Sequence, residues 1–167
     1  MPKPSRPPLE IRAATPDDAD FILSLAPRFV GFPLPKGRRK RDTLAGIRAD
    51  IERVLREAPP NDYFFVAEAA DTERMGFLHL QVQRDFFTGG RVCHISDLAV
   101  ANGREGRGIG RSLLARAETW ARENRCKGLT LSVFPANSRA RDLYERAGFT
   151  IDLIRMAKPL KDWRNPS

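Results

Sequence analysis

Cysteine is scarce in this chain: of 167 residues only Cys93 and Cys126 are cysteine, which excludes a disulfide framework, and neither stands in a metal-ligand spacing. Histidine is as sparse, at two, and no metal is expected. No apolar run approaches the length needed to cross a bilayer, so no membrane partner is expected. The Pro-rich start, Met1 to Pro8, lacks the apolar core of a signal peptide. Cytoplasmic residence is therefore the expectation. The length suits a single domain with its own core, read here as residues 9–160 between a short flexible arm (1–8) and a tail (161–167). Neither an internal repeat nor a low-complexity segment is present.

What the chain has in excess is positive charge, +8 net with a pI near 10.2, which concentrates anionic partners at the surface. The densest cluster is Lys36-Gly37-Arg38-Arg39-Lys40-Arg41. It has no interleaved aromatics on which bases could stack, so a solvated connection is favoured and nucleic acid is an unlikely partner.

Hydrophobic periodicity outlines a mixed α and β chain. Leu9 to Ala13 reads as a strand, and Thr15-Pro16-Asp17-Asp18 as a helix start with cap, first-position proline and first-turn acids. That helix is expected to end near Pro27. Asp42 or Thr43 is the expected cap of a second helix, in which Leu44, Ile47, Ile51, Val54 and Leu55 recur until Pro59. Three strands follow at Tyr63 to Glu68, Met75 to Gln83 and Val92 to Val100 as an antiparallel meander. After Gly110, Leu113, Ala117 and Trp120 mark one apolar helix face. Leu129 to Phe134 is the next strand, a helix capped by Ser138 follows, and Phe149 to Met156 is expected to close the sheet.

The most informative segment joins Asp97-Leu98-Ala99-Val100 to Gly106-Arg107-Gly108-Ile109-Gly110 and an amphipathic run from Arg111. It reads as strand, glycine turn and helix. Alternating glycines permit positive φ and close approach, and a helix N-terminus adds unpaired N–H groups and a positive dipole end, so a phosphorylated ligand is indicated. A Walker loop is excluded because Ile109 and Gly110 stand where Lys and Ser or Thr are required. A dinucleotide fingerprint fails because Arg111 stands where its last glycine or alanine belongs.

The segment resembles the acetyl-CoA motif of the GCN5-related N-acetyltransferases (GNAT), in which Arg or Gln, two residues, Gly, one residue, and Gly or Ala succeed one another. Gly108 and Gly110 fit; Glu105 stands where Arg or Gln is preferred and sets a carboxylate beside the expected pyrophosphate. Arg104, Arg107 and Arg111 are positioned to offset it. A second stretch, Asn137-Ser138-Arg139-Ala140-Arg141-Asp142-Leu143-Tyr144-Glu145-Arg146-Ala147-Gly148-Phe149, resembles the family's other motif. Independently of that likeness, Asn137 and Tyr144 are seven apart and share one helix face.

The resemblance implies an α+β (mixed α/β) GNAT fold. Its sheet is central, mostly antiparallel and twisted, with about six or seven strands, about four flanking helices and a splayed acetyl-CoA slot. It implies an enzyme that moves an acetyl group from acetyl-CoA directly to an amine. The cofactor-binding set it implies is Leu98, Ala99, Val100, Glu105, Gly106, Arg107, Gly108, Ile109, Gly110, Arg111, Asn137, Ala140 and Tyr144. Tyr144 is the expected acid for the departing thiolate, since a phenol with a reference pKa near 10 is protonated at neutral pH. For the base, strand alternation sets His94, Ser96 and Leu98 on one face and Cys93, Ile95, Asp97 and Ala99 on the other. His94 matches the strand position at which histone-type members carry a glutamate base and is favoured; Asp97 and water-mediated proton loss are the alternatives, and His79 has no comparable support. Cys93 and His94 point to opposite faces, which argues against a cysteine nucleophile.

A regulatory domain that binds acyl-CoA without turnover is the alternative function. Homodimers are common in the resembled family, and no residue pattern here decides the matter. The acceptor is not legible, because its walls come from the loops around Arg28 to Lys40 and Asp85 to Gly90; Phe29, Phe32, Phe86 and Phe87 hint at an apolar contribution.

Overall fold

The computed structural model describes residues 9–160; the expected arm and tail lie outside them. Five strands form one sheet in the order β1 (Leu9–Ala13), β2 (Asp62–Ala69), β3 (Arg74–Arg84), β4 (Arg91–Val100) and β5 (Leu129–Leu131). The first three pairings are antiparallel; β4 and β5 run parallel, which requires the crossover made by α3 (Ile109–Glu123). The remaining helices are α1 (Ala19–Ser24), α2 (Lys40–Glu57) and α4 (Ser138–Arg146).

Strand alternation divides the core into two layers. Leu78, Leu80, Cys93 and Ile95 face Leu113, Leu114, Ala117 and Trp120 of α3, while Val66, Phe77 and Ala99 face Ile22 and Leu25 of α1 and Ile51 of α2. The apolar stripe of α3 is thus the one anticipated from its period. Gly76 lies where a Cβ would come within 2.6 Å of the Ala99 carbonyl oxygen, so β3 and β4 approach there only because the side chain is absent.

Several boundaries differ from expectation. The helix opened by Thr15 is interrupted: a 3-10 turn at Pro16–Asp18 leads into α1, and a second at Ala26–Val30 carries the chain past Pro27. The second helix starts at Lys40, two to three residues before the expected caps. Asn137, not Ser138, caps α4, its Oδ1 accepting the Ala140 N–H at 3.3 Å. Among the described residues the sheet has five strands rather than six or seven. Phe149 to Met156 forms no strand, and Ile151, Leu153, Ile154 and Met156 are 71–89% exposed. A strand needs a ladder partner as well as an apolar pattern, and β5, only three residues long, offers little edge.

One buried polar cluster went unnoticed in the sequence. Asp18, wholly buried, accepts two hydrogen bonds from Arg12 at 2.8 and 3.0 Å, one from Arg74 Nε at 2.6 Å and one from the Thr15 N–H at 2.8 Å. Arg12 first, then Thr15 and Arg74, hold its carboxyl well below the usual carboxylate range against the opposing effect of burial. The cluster ties β1, the first turn and β3 together. Asp18→Ala is expected to cost about 2 kcal/mol in urea unfolding, because both arginines retain partial solvent access. The wild-type protein keeps this contribution above the ordinary aspartate pKa and loses it as pH falls through the depressed folded value; the variant's stability should therefore vary less in that acid range.

Candidate active site

β4 and β5 are paired only over Cys93–Ile95 and Leu129–Leu131. Beyond that they diverge and leave a cleft of about 880 Å³ between the second half of β4 and the chain from Leu131 to Phe134. Along β4 from Ser96 to Val100, the edge away from β3 has no strand partner among the described residues. The expected splayed slot is therefore present, made by the short β5 ladder.

A bulge reshapes β4 at the mouth of the cleft. Leu80 is opposite Ile95 and His79 is opposite Asp97, so Ser96 is the extra residue. Beyond it the side-chain alternation is reversed. His94, Asp97 and Ala99 consequently share the α1/α2 face, while Cys93, Ile95 and Leu98 share the α3 face, correcting the simple period-two assignment of Asp97, Leu98 and Ala99.

At one end of the cleft the chain turns into α3. Gly103, Gly106 and Gly108 all have φ between 72° and 80°, and Gly108 is the N-cap residue. The first N–H groups of α3 have no intrahelical acceptors and meet the cleft, which Gly106, Gly108, Ile109, Gly110 and Arg111 line. Arg107 is exposed and outside the lining. Across from α3, Asn137, Ala140 and Tyr144 of the α4 segment line the same cleft, as do Leu98, Ala99, Val100 and Glu105.

The carboxylate of Glu105, which lines the cleft, is paired with an arginine. Arg28 Nη2 lies 2.5 Å from Glu105 Oε1, and Arg28 Nη1 donates to Asn102 Oδ1 at 2.7 Å. Glu105 is held below its ordinary pKa by its own backbone N–H and then by Arg28. The offsetting cation is thus Arg28, 77 residues upstream; Arg104, one of those expected, is bound to Glu73. No spacing rule links Arg28 to Glu105, so local patterns could not have found the pair.

Tyr144 is largely buried, edge-on to Phe149 at 5.9 Å between ring centroids. Burial, then the charge of Asp97, raises its phenol above the ordinary value, so it is protonated at neutral pH. His94 Nδ1 is 2.8 Å from Thr130 Oγ1 on β5, and burial lowers its pKa. The cleft lining runs from Ile95 and does not include His94; Asp97 does line it. Cys93 lies fully buried on the far face, its thiol pushed up to about 12 by burial, which removes the thiolate a nucleophile would need.

The group that sequence inspection passed over is His79. Its ring, 2% exposed, stacks on Phe64 at 4.1 Å and is held between two carboxylates: Nδ1 is 2.7 Å from Asp97 Oδ2 and Nε2 is 2.7 Å from Asp62 Oδ1. A carboxyl oxygen at each ring nitrogen favours the imidazolium form, which can donate from both. Burial works against that form, but the bonds and charges of Asp97 and Asp62 outweigh it and the pKa is raised. The register His79 opposite Asp97, created by the bulge, is what brings the pair together.

The sheet, opened at a parallel pair beside a glycine turn and helix, matches the slot that the GNAT resemblance implies. Residues 31–149 match the family model described as "Acetyltransferase (GNAT) family". The chain is 31% identical over 140 residues to the aminoglycoside N(6')-acetyltransferase type 1 of Stenotrophomonas maltophilia, covering 82% of this chain and 80% of that protein. It is 36% identical over 85 residues to the streptothricin acetyltransferase of Streptomyces lavendulae, 51% of this chain but 43% of that one. Its fold superposes on an aminoglycoside N-acetyltransferase solved with CoA at a TM-score of 0.68, covering 95% of this chain and 99% of that chain at 19% identity, a likeness of fold alone. The chain belongs to the GNAT family and is an acetyl-CoA-dependent N-acetyltransferase. No helix among the described residues is long and apolar enough to cross a membrane.

Proposed function

We propose that the protein transfers acetyl directly from acetyl-CoA to an amine in a ternary complex, and the observation that carries this is the single cleft shared by the α3 N-terminus, the open β4 edge and Tyr144. The CoA pyrophosphate is received by the backbone N–H groups of Gly106 to Arg111. The pantetheine arm adds to the free edge of Leu98 to Val100 much as a strand would. Asn137 and Ala140 close the cleft opposite. An N–H of that β4 edge supports the thioester oxygen as charge gathers on it.

The acceptor ammonium first loses a proton to solvent. Asp97, which reaches the cleft, is better placed to hold that nitrogen than His94, which is bonded to Thr130. The amine nitrogen then bonds to the carbonyl carbon, the C–S bond breaks, and Tyr144 gives its proton to the thiolate. The phenolate recovers a proton released from the amide nitrogen, so the sum is one amide, one thiol and one proton to solvent.

Thiol release should require both acetyl-CoA and an amine, with calorimetry giving saturable acetyl-CoA binding in the micromolar range. Absence of saturable binding would sink the proposal. A burst of CoA before acceptor addition, with acylated Cys93 by mass spectrometry, would replace direct transfer with a two-step route. Binding without amine-stimulated thiol release would favour the regulatory alternative.

A further inference from the structure

The cleft carries few acids for an enzyme that takes cationic acceptors. Among its lining residues only Asp97 and Glu105 are acidic, and Glu105 is already paired with Arg28. Arg104, Arg111, Arg139 and Arg146 line the same space. Asp97 therefore supplies the one carboxylate left for an ammonium, and its Oδ1 accepts no hydrogen bond from the described residues while Oδ2 is engaged by His79.

His79 also fixes how much charge Asp97 presents. Asp62, His79 and Asp97, as two carboxylates and an imidazolium, sum to a single negative charge that opens on the cleft only at Asp97, whose side chain is 13% exposed while those of Asp62 and His79 are 5% and 2% exposed. One ammonium balances it. Gln81 donates to Asp62 from the same face, and His94 and Tyr144 complete the titratable neighbourhood of Asp97. A second or third ammonium on the acceptor would find arginines or apolar wall, and would lose its hydration without recovering it.

The wall itself is apolar. Phe29, Phe32, Ile47 and Phe134 line the cleft on the side of α2 and the second 3-10 turn. The Phe32 and Phe134 rings are 5.9 Å apart, Phe29 stands edge-on to Phe77 at 6.2 Å, and the Arg38 guanidinium lies 5.5 Å above Phe134. Phe86 and Phe87, by contrast, stand on the exposed β3–β4 hairpin and take no part.

We propose that the acceptor is a monocationic primary amine on an apolar or aromatic body, its ammonium on Asp97 and its body between Phe29, Phe32, Ile47 and Phe134. This rests on the acetyl transfer proposed above and departs from the aminoglycosides that appear in the names of two of the compared proteins. Asp97 is then a catalytic residue, and His79 a positioning residue that sets its direction and halves the charge of the carboxylate pair.

The test is an acceptor panel of 2-phenylethylamine, spermidine and kanamycin with the full-length protein, read by thiol release and by mass spectrometry of the products. The expected kcat/KM for 2-phenylethylamine exceeds that for either polycation by about 100-fold, since an unmatched buried charge is penalised far more than an unmatched methylene. Equal or better turnover of spermidine or kanamycin, or no turnover of any of the three, overturns the inference and leaves acetyl transfer standing, which fails only if acetyl-CoA shows no saturable binding. Two variants sharpen it. Phe32→Glu adds a carboxylate to a partly exposed wall position and should improve spermidine relative to 2-phenylethylamine about tenfold. His79→Gln removes the imidazolium charge and should narrow the same ratio about fivefold at an unchanged acetyl-CoA Kd, an effect that loss of packing alone would not give. An unaltered ratio in folded Phe32→Glu protein would show that the acceptor does not lie against this wall.

Discussion

Tyr144→Phe should reduce kcat by about 10²–10³ while the acetyl-CoA Kd changes less than about twofold, the pattern of a group used in the transition state and not in ground-state binding. The phenol lines the cleft opposite the open edge of β4, and burial with the nearby Asp97 charge keeps it protonated. Removing one oxygen leaves the ring and its edge-on contact with Phe149 in place, so stability should hardly move. A departing thiolate then has only water as its proton source. Rapid-quench kinetics separate the outcomes: equal losses in kcat and CoA binding would make the phenol a binding group, and an unchanged kcat would place the acid elsewhere. Because the phenol's pKa is raised, the alkaline limb of the wild-type rate profile attributed to it should lie above the ordinary tyrosine value.

The second large effect is expected at Gly108. Its φ of 80° is a left-handed conformation, and it is the residue from which α3 starts. A β-branched side chain is strained there by about 1–3 kcal/mol. The chain can relieve that strain by unwinding the first turn of α3, which would redirect the N–H groups proposed to receive the pyrophosphate. Gly108→Val should weaken acetyl-CoA binding by about 10–100-fold, and a thermal scan should show a smaller loss of stability. Gly110 differs in kind: it lies inside the helix, where an added Cβ would come within 2.9 Å of Leu143 Cδ2, a flexible end that can move aside. Gly110→Ala should therefore bind acetyl-CoA more tightly than Gly108→Val, by the same calorimetric measurement.

How legible the site was depends on how far apart its parts lie in the chain. The donor side is contiguous: a strand end, a glycine turn and a helix start follow one another from Asp97 to Arg111, and each is specified by backbone preferences of neighbouring residues. The cleft-facing side of α4 is likewise carried by a seven-residue spacing within one helix. The assignment of strand faces failed at Ser96 because a bulge is set by the fit between two strands, and no residue in Cys93-His94-Ile95-Ser96-Asp97 announces it. The expected closing strand at Phe149 to Met156 failed because alternation describes a surface a strand could bury, not whether an edge exists to receive it.

The meander of three strands, the apolar stripe of α3, the glycine turn before it and the family resemblance these carry rest on periodicity and local conformation, and were legible in the chain. What surrounds them is a matter of tertiary packing. It brought Arg28 to Glu105, so that the one adverse carboxylate in the glycine motif is neutralised. It set His79 between Asp62 and Asp97 from three different strands, leaving Asp97 as the member of the cluster that opens on the cleft. Such meetings cost chain entropy that only a folded core repays, and their partners are chosen by register and packing, which no local pattern encodes.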